Sequence, residues 1–139
     1  MTALVVPNAG ELELMKKMLK SALTVDESYK LRLFQNNITP DQDTETADFT
    51  EADFTGYAEK TLTRSGWSDP TTVSNKARMD YSVEQIWTCS GGSNTIYGYY
   101  VVGTTSGVCL WAQLFASPRT VDNGVVVSVT PSLTGNSEN

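Results

Sequence analysis

The order of apolar and polar residues predicts one helix near the start of the chain. A stripe of apolar residues at spacings of three and four lies along one side of it: Leu12, Met15, Leu19 and Leu23. Asn8 precedes the stripe, and the β-branched Thr24 and Val25 end it. The pattern therefore predicts an amphipathic helix over about residues 8–24, with the stripe packed on the core or on another subunit.

After the helix the hydrophobic period changes from 3.6 to 2. Apolar residues alternate with Lys30 and Arg32 between Tyr29 and Leu33, which is typical of a half-buried strand. Further on, residues 95–104, 108–116 and 125–130 are β-rich runs, several of them apolar on both faces. We expect one domain over residues 1–139, mainly β (α+β), with strands across 29–131. The strands would form a β-sandwich or small barrel of about six to eight strands with one N-terminal amphipathic helix.

A strongly acidic segment interrupts the strands. Residues 41–55 contain six acidic side chains and no basic one, which indicates a solvated loop. The spacing of Asp41, Asp43 and Glu45 is like the opening of a calcium loop, but the rest of that motif is missing, and we predict no metal site. The tetrapeptide ADFT occurs twice and supplies Phe49 and Phe54. Each Phe could anchor the loop to the core or to a neighbouring subunit.

Composition and charge exclude several kinds of function. The chain has no histidine, which removes the commonest general base and zinc ligand. Its formal net charge of −6 argues against a nucleic-acid partner. No apolar run is long enough to span a membrane. Cys89 and Cys109 lie in apolar segments, so we expect buried free thiols. We therefore predict a protein that is not an enzyme, with no catalytic residues and no cofactor.

The C-terminal part of the chain is nearly uncharged. Between Ile86 and Asn139 the only charged side chains are Arg119, Asp122 and Glu138. A domain of this size has too much surface to leave so large a fraction without charge unless that surface is covered. We expect both that this part forms the inside of a sandwich and that it meets other chains.

Short segments spread in order over the chain resemble a family of small virion proteins of tailed bacteriophages. They are LVVPNAGELELMKKMLK, LRLFQNNITP, DFTEADFTGYAEKTL, IYGYYVV, LWAQLFASP and VVVSVTPSLT. The resemblance implies a structural role in the virion, assembled in the bacterial cytoplasm, and no reaction.

The first hypothesis for function is a capsid decoration (cement) protein. It would bind the lattice of the major capsid protein, or other virion proteins, as a homo-oligomer such as a trimer. The candidate contact residues are Leu4, Val5, Val6, Phe49, Phe54, Val125, Val127 and Val129. A neck, tail, baseplate or fibre-attachment component is the alternative. A module that binds glycans on the host surface, through Trp67 and nearby Tyr side chains, is the third hypothesis.

Overall fold

The computed structural model describes residues 4–19 and 28–135, which form one α-helix and nine β-strands. The helix, α1, spans Asn8–Leu19. The strands are β1 Tyr29–Phe34, β2 Lys60–Leu62, β3 Thr71–Val73, β4 Lys76–Asp80, β5 Gln85–Thr88, β6 Asn94–Gly103, β7 Cys109–Val121, β8 Val126–Val129 and β9 Ser132–Thr134. The chain is mainly β with one N-terminal helix, as predicted, and the described residues form nine strands where the sequence indicated about six to eight.

The strands form three antiparallel sheets. The largest has the strand order β2-β1-β6-β7, the second the order β3-β4-β9, and the third pairs β5 with β8. Side chains from the three sheets contribute to one hydrophobic core, which includes Leu33, Trp87 and Val129, with Leu133 packed against it. The ladders of the described residues leave three separate sheets and do not close a barrel, so the arrangement is closer to a sandwich.

Strand β6 is buried on both faces, because each face of the large sheet is covered. Tyr99 and Val101 lie in the main core, whereas Tyr100 and Val102 belong to a second apolar cluster. Phe49 of the acidic loop stacks on Tyr100, with ring centroids 4.2 Å apart and ring planes at 9°. The acidic loop thus covers the second face of the sheet. For β6 this confirms the expectation that strands apolar on both faces are covered on both sides, whereas β7 is buried on both faces only over residues 109–112.

The apolar stripe of α1 does not face the core. Leu12, Met15 and Leu19 are 60%, 57% and 75% exposed. The interpretation that these three side chains pack on the chain's own core is therefore wrong. The other interpretation, packing on another subunit, stays a prediction. Leu23 and the predicted helical residues 20–24 lie outside the described residues.

A different side of α1 contacts the body of the protein. Gly10 is buried against β7, and a Cβ atom at this position would lie 2.5 Å from the carbonyl oxygen of Leu110. Only glycine allows the helix backbone to come so close to the strand. Leu14, one turn further along, is half-buried on the same side. The orientation of the helix is thus decided by a close backbone approach and not by the larger apolar residues.

Candidate interaction surfaces

Four of the predicted contact residues are buried inside the chain itself. Phe49, Phe54, Val127 and Val129 are all core residues, and Val125 is half-buried and packs against the same core. The expectation that these four buried residues anchor a partner is corrected, because their side chains present almost no surface to another molecule. For the half-buried Val125 it stays a prediction. Of the two roles considered for the two Phe residues, the structure shows that they anchor the loop to the core.

The N-terminal contact residues are also occupied within the chain. Val5 forms an isolated antiparallel bridge with Ala112 of β7, with both N···O distances at 2.9 Å. Leu4 and Val6, on either side of it, are half-buried and pack against the core. The segment therefore extends the edge of the large sheet, and its side chains keep part of their surface exposed, so its contact with the capsid stays a prediction.

The outer face of the β5–β8 sheet is uncharged and exposed, and we name its four residues the uncharged face: Ile86, Thr88, Val126 and Ser128. They alternate with inward-facing neighbours such as Trp87 and Val127. Ile86 and Val126 are 50% and 44% exposed. The alternation around Trp87 already indicated this face, but the sequence could not show that β5 and β8 lie side by side.

A groove continues this surface towards β7. It has a volume of about 290 Å³ and is lined by Phe115, Ala116, Ser117, Pro118, Arg119, Val127 and Ser128. The guanidinium of Arg119 donates to the carbonyl oxygen of Val126 at 2.7 Å. One of the few charged groups in this part of the chain is thus used to hold β7 beside β8, and the groove itself offers mainly apolar and hydroxyl groups.

The carboxylates of the acidic loop serve mainly as local hydrogen-bond acceptors. Asp41 Oδ1 accepts from the Asp43 backbone N–H at 2.9 Å and from the Thr44 hydroxyl at 3.0 Å. Asp48 Oδ2 accepts from the Glu45 backbone N–H at 2.8 Å. Within the described residues, no three side chains of His, Cys, Asp or Glu come together as a metal site would require.

A second part of the loop is tied to β1 by a polar cluster. Arg32 Nε lies 2.8 Å from Glu59 Oε2 and 3.8 Å from Glu51 Oε1. The hydroxyl of Tyr57 donates to Glu51 Oε2 at 2.7 Å and accepts from the Leu33 backbone N–H at 3.2 Å. Burial, with the hydrogen bond to Glu51, raises the pKa of Tyr57 far above its usual range. Lys30 Nζ also lies 3.8 Å from Glu59 Oε1, so each carboxylate of the cluster has a cationic partner, as in a structural network.

The aromatic residue of the glycan hypothesis lies at a small pocket between α1 and the sheets. The pocket has a volume of about 180 Å³ and is lined by Leu14, Tyr29, Arg64, Trp67, Met79, Trp111 and Leu133. The rings of Trp67 and Trp111 meet edge to face at 5.7 Å, and Trp67 meets Tyr81 at 5.3 Å. Trp67 is half-buried, and it lines the pocket together with Tyr29 and Trp111.

Both cysteines are free and buried, as predicted. Burial raises the pKa of the Cys109 thiol to about 12, so it stays protonated and unreactive at neutral pH. The thiol of Cys89 donates to the carbonyl oxygen of Gly91 at 3.2 Å. In the part of the chain that the structure describes, no helix has the length and apolar character that crossing a membrane requires.

Comparison with known proteins leaves the family open. No protein-family model matches the chain, and no curated protein matches it significantly.

Proposed function

We propose that this chain is a bacteriophage virion structural protein, and that its role is capsid decoration. The observation that carries the proposal is the uncharged face on the β5–β8 sheet, with the apolar side chains of Ile86 and Val126 exposed on it. Charged residues are depleted at the core of protein–protein interfaces, whereas a free surface normally carries many of them. The sequence resemblance to small virion proteins supports the same class.

The mechanism that we propose is stabilisation of the capsid by binding. Each copy would place the uncharged face and the adjoining groove against the major capsid protein and bury apolar area there. Because the decoration protein binds the assembled shell and not its separated parts, binding favours the shell by mass action. Copies that are linked as a homo-oligomer would bind several lattice sites at once, so modest single contacts suffice.

Copy number in purified virions tests the location. Quantitative mass spectrometry against the major capsid protein should give a ratio near one, or a simple fraction of it. A few copies per particle would instead indicate the neck, tail, baseplate or fibre-attachment alternative. Absence of the chain from purified particles would refute both of these roles.

Surface substitutions test the contact itself. We expect Ile86→Lys and Val126→Lys to weaken binding to capsid shells prepared without this protein by at least about tenfold. Each substitution would place a charge inside the contact, where it is buried on binding. Their free energies of unfolding should change by less than about 0.5 kcal/mol, since both side chains are exposed. Val73→Lys, at an exposed position on a different sheet, is the matched control and should bind normally. Equal binding by all three variants would remove the uncharged face from the proposal.

The glycan-binding hypothesis has one specific feature in its favour, the aromatic pocket beside Trp67. A glycan array with the isolated chain tests it directly. Binding that is lost in Trp67→Leu, a variant that keeps an apolar side chain at this half-buried position, would support a glycan site. Its absence would leave the virion proposal unaffected.

A further inference from the structure

The outward side of α1 is an apolar surface that the described part of the chain does not cover, and we name it the α1 stripe. It consists of Leu12, Met15 and Leu19, each more than half exposed. Scattered single apolar residues are ordinary on protein surfaces, but three in register along one helix form a continuous strip.

The helix cannot turn to bury the α1 stripe against its own sheets. Its inward side is fixed by Gly10, where a Cβ atom would lie 2.5 Å from the Leu110 carbonyl oxygen and 2.6 Å from that of Cys109. Rotation would bring a side chain into this contact, and a close-packed interior has no room for one. The α1 stripe therefore stays outside the core that the described residues form.

The charges beside the α1 stripe indicate what covers it. Leu12 and Leu19 are seven residues apart with Met15 between them, which is the a–d–a spacing of a coiled coil. In that frame Glu11 takes the g position and Lys16 the following e position. When two such helices pack in parallel, g of one helix meets the following e of the other, so Glu11 meets Lys16 on both sides. An antiparallel pair would place like charges together.

We propose that the α1 stripe packs against the α1 stripe of a second copy of this chain, with the two helices parallel. The same contact repeated about an axis parallel to α1 gives a dimer or a trimer. The inference deepens the homo-oligomer part of the proposed function and rests on that part alone. It does not require that the chain bind a capsid.

Two features of the structure make this contact feasible for so short a helix. An isolated helix of this length would be only marginally formed in water. Because α1 is already held on β7, association loses little conformational entropy in ordering it. Lys16 Nζ lies 3.2 Å from Glu13 Oε1 in the same helix. Because that ion pair is exposed, Lys16 can exchange it for Glu11 of the second copy at little cost.

Sedimentation velocity over a range of protein concentrations tests the contact with the full chain alone. We expect a concentration-dependent rise to the mass of a dimer or trimer. Met15→Lys should weaken association at least about tenfold, because it places a charge in the centre of the contact. Val83→Lys, at an exposed apolar position outside α1, should associate like the wild type. A wild-type chain that stays monomeric throughout, or a Met15→Lys variant that associates normally, would overturn the proposal.

A charge exchange tests the parallel orientation. Glu11→Lys and Lys16→Glu should each weaken association, because each places like charges opposite one another in a parallel pair. The double variant Glu11→Lys/Lys16→Glu restores opposite charges and should associate like the wild type. A double variant no better than the single ones would contradict the parallel arrangement. Shell binding by Ile86→Lys is measured separately, so failure of this contact and failure of the capsid role can be told apart.

Discussion

Asn94 is the single side chain on which the position of the acidic loop most depends. It lies buried at the start of β6, and its Oδ1 accepts from the backbone N–H groups of Asp53 and Phe54 at 2.9 and 3.0 Å. Its amide nitrogen donates to Asp53 Oδ1 at 2.8 Å and to Gln35 Oε1 at 3.1 Å. A buried amide with so many partners is expensive to remove, because the groups around it are left unpaired.

We predict that Asn94→Ala lowers the free energy of unfolding by about 2–4 kcal/mol, since the buried N–H of Phe54 and the partly buried N–H of Asp53 lose their acceptor. Urea unfolding measures this loss. Asn36→Ala is a useful comparison, because Asn36 also bonds the loop, through Asp48 and Thr50, but at an exposed site. Asn36→Ala should lower the free energy of unfolding by clearly less than Asn94→Ala does. Equal losses for the two variants would contradict the role given to burial.

Cys109 makes the stability of the chain dependent on alkaline pH. Its pKa is about 12 in the folded protein and near 9 when exposed, so the unfolded chain loses this proton first as pH rises. Between these two values the unfolded state binds fewer protons than the folded state, and the free energy of unfolding therefore falls with rising pH. Below about pH 9 the contribution is constant.

We predict that the pH-dependent loss between pH 8 and pH 10.5 is smaller in Cys109→Ala than in the wild type by about 2 kcal/mol. The readout is the difference in the free energy of unfolding between the two pH values within each protein. The effect of any cavity that the substitution leaves is the same at both pH values and therefore cancels. Urea unfolding at both pH values measures it. Equal losses of unfolding free energy between the two pH values in both proteins would show that the pKa of Cys109 is not raised in the folded protein.

At the scale of elements, the docking of α1 depends on a glycine that the sequence pattern did not mark. Helix propensity alone favours Ala over Gly inside a helix by about 1 kcal/mol. At Gly10 the close backbone contact with Leu110 opposes this preference. The steric effect should dominate, because the atoms that would have to move belong to the backbone of β7.

We therefore predict that Gly10→Ala destabilises the chain by about 1–3 kcal/mol, although it raises the intrinsic helix propensity. Urea unfolding at low protein concentration, where self-association is absent, measures the change. Lys16→Ala, an exposed substitution in the same helix, is the control and should change stability by less than about 0.5 kcal/mol. A stabilised Gly10→Ala variant would mean that α1 is not held against β7.

At the scale of the whole molecule, the three sheets share one core and should unfold together. The acidic loop belongs to this unit, because Phe54 packs in the core that also contains Trp87 and Val129. Phe54 also meets Tyr57 edge to face at 5.5 Å. A substitution in the loop should therefore lower the stability of the entire chain and not that of the loop alone.

We predict that Phe54→Ala lowers the free energy of unfolding by about 3–5 kcal/mol. Tryptophan fluorescence and far-ultraviolet circular dichroism should report one coincident transition, shifted equally in both signals. Val73→Ala, at an exposed position on β3, should leave the unfolding transition almost unchanged in both signals. Two separated transitions in Phe54→Ala would show that the loop and the sheets unfold independently.

Local periodicity was sufficient to predict β1, β6, most of β7 and the inward side chains of β5, whereas no pattern predicted β3, β4 or β9. Alternation identified β1 and the inward-facing Trp87 and Cys89, and the runs apolar on both faces identified β6 and residues 109–112 of β7 as covered on both faces. These predictions held because a strand exposes its residues in strict alternation, whatever it pairs with. The buried thiols followed in the same way from their apolar surroundings.

The sequence by itself determined the class of fold, the start of the helix and the burial of alternate strand residues, because those depend on spacing along the chain. Tertiary structure decided which strands pair and which apolar residues stay outside. It pairs β5 with the distant β8, and it turns the α1 stripe outward because Gly10 alone admits the close approach to β7. It also draws Phe49 and Phe54 into the core and leaves Ile86 and Val126 on the surface. Spacing cannot show such choices, since they depend on contacts between residues far apart in the chain.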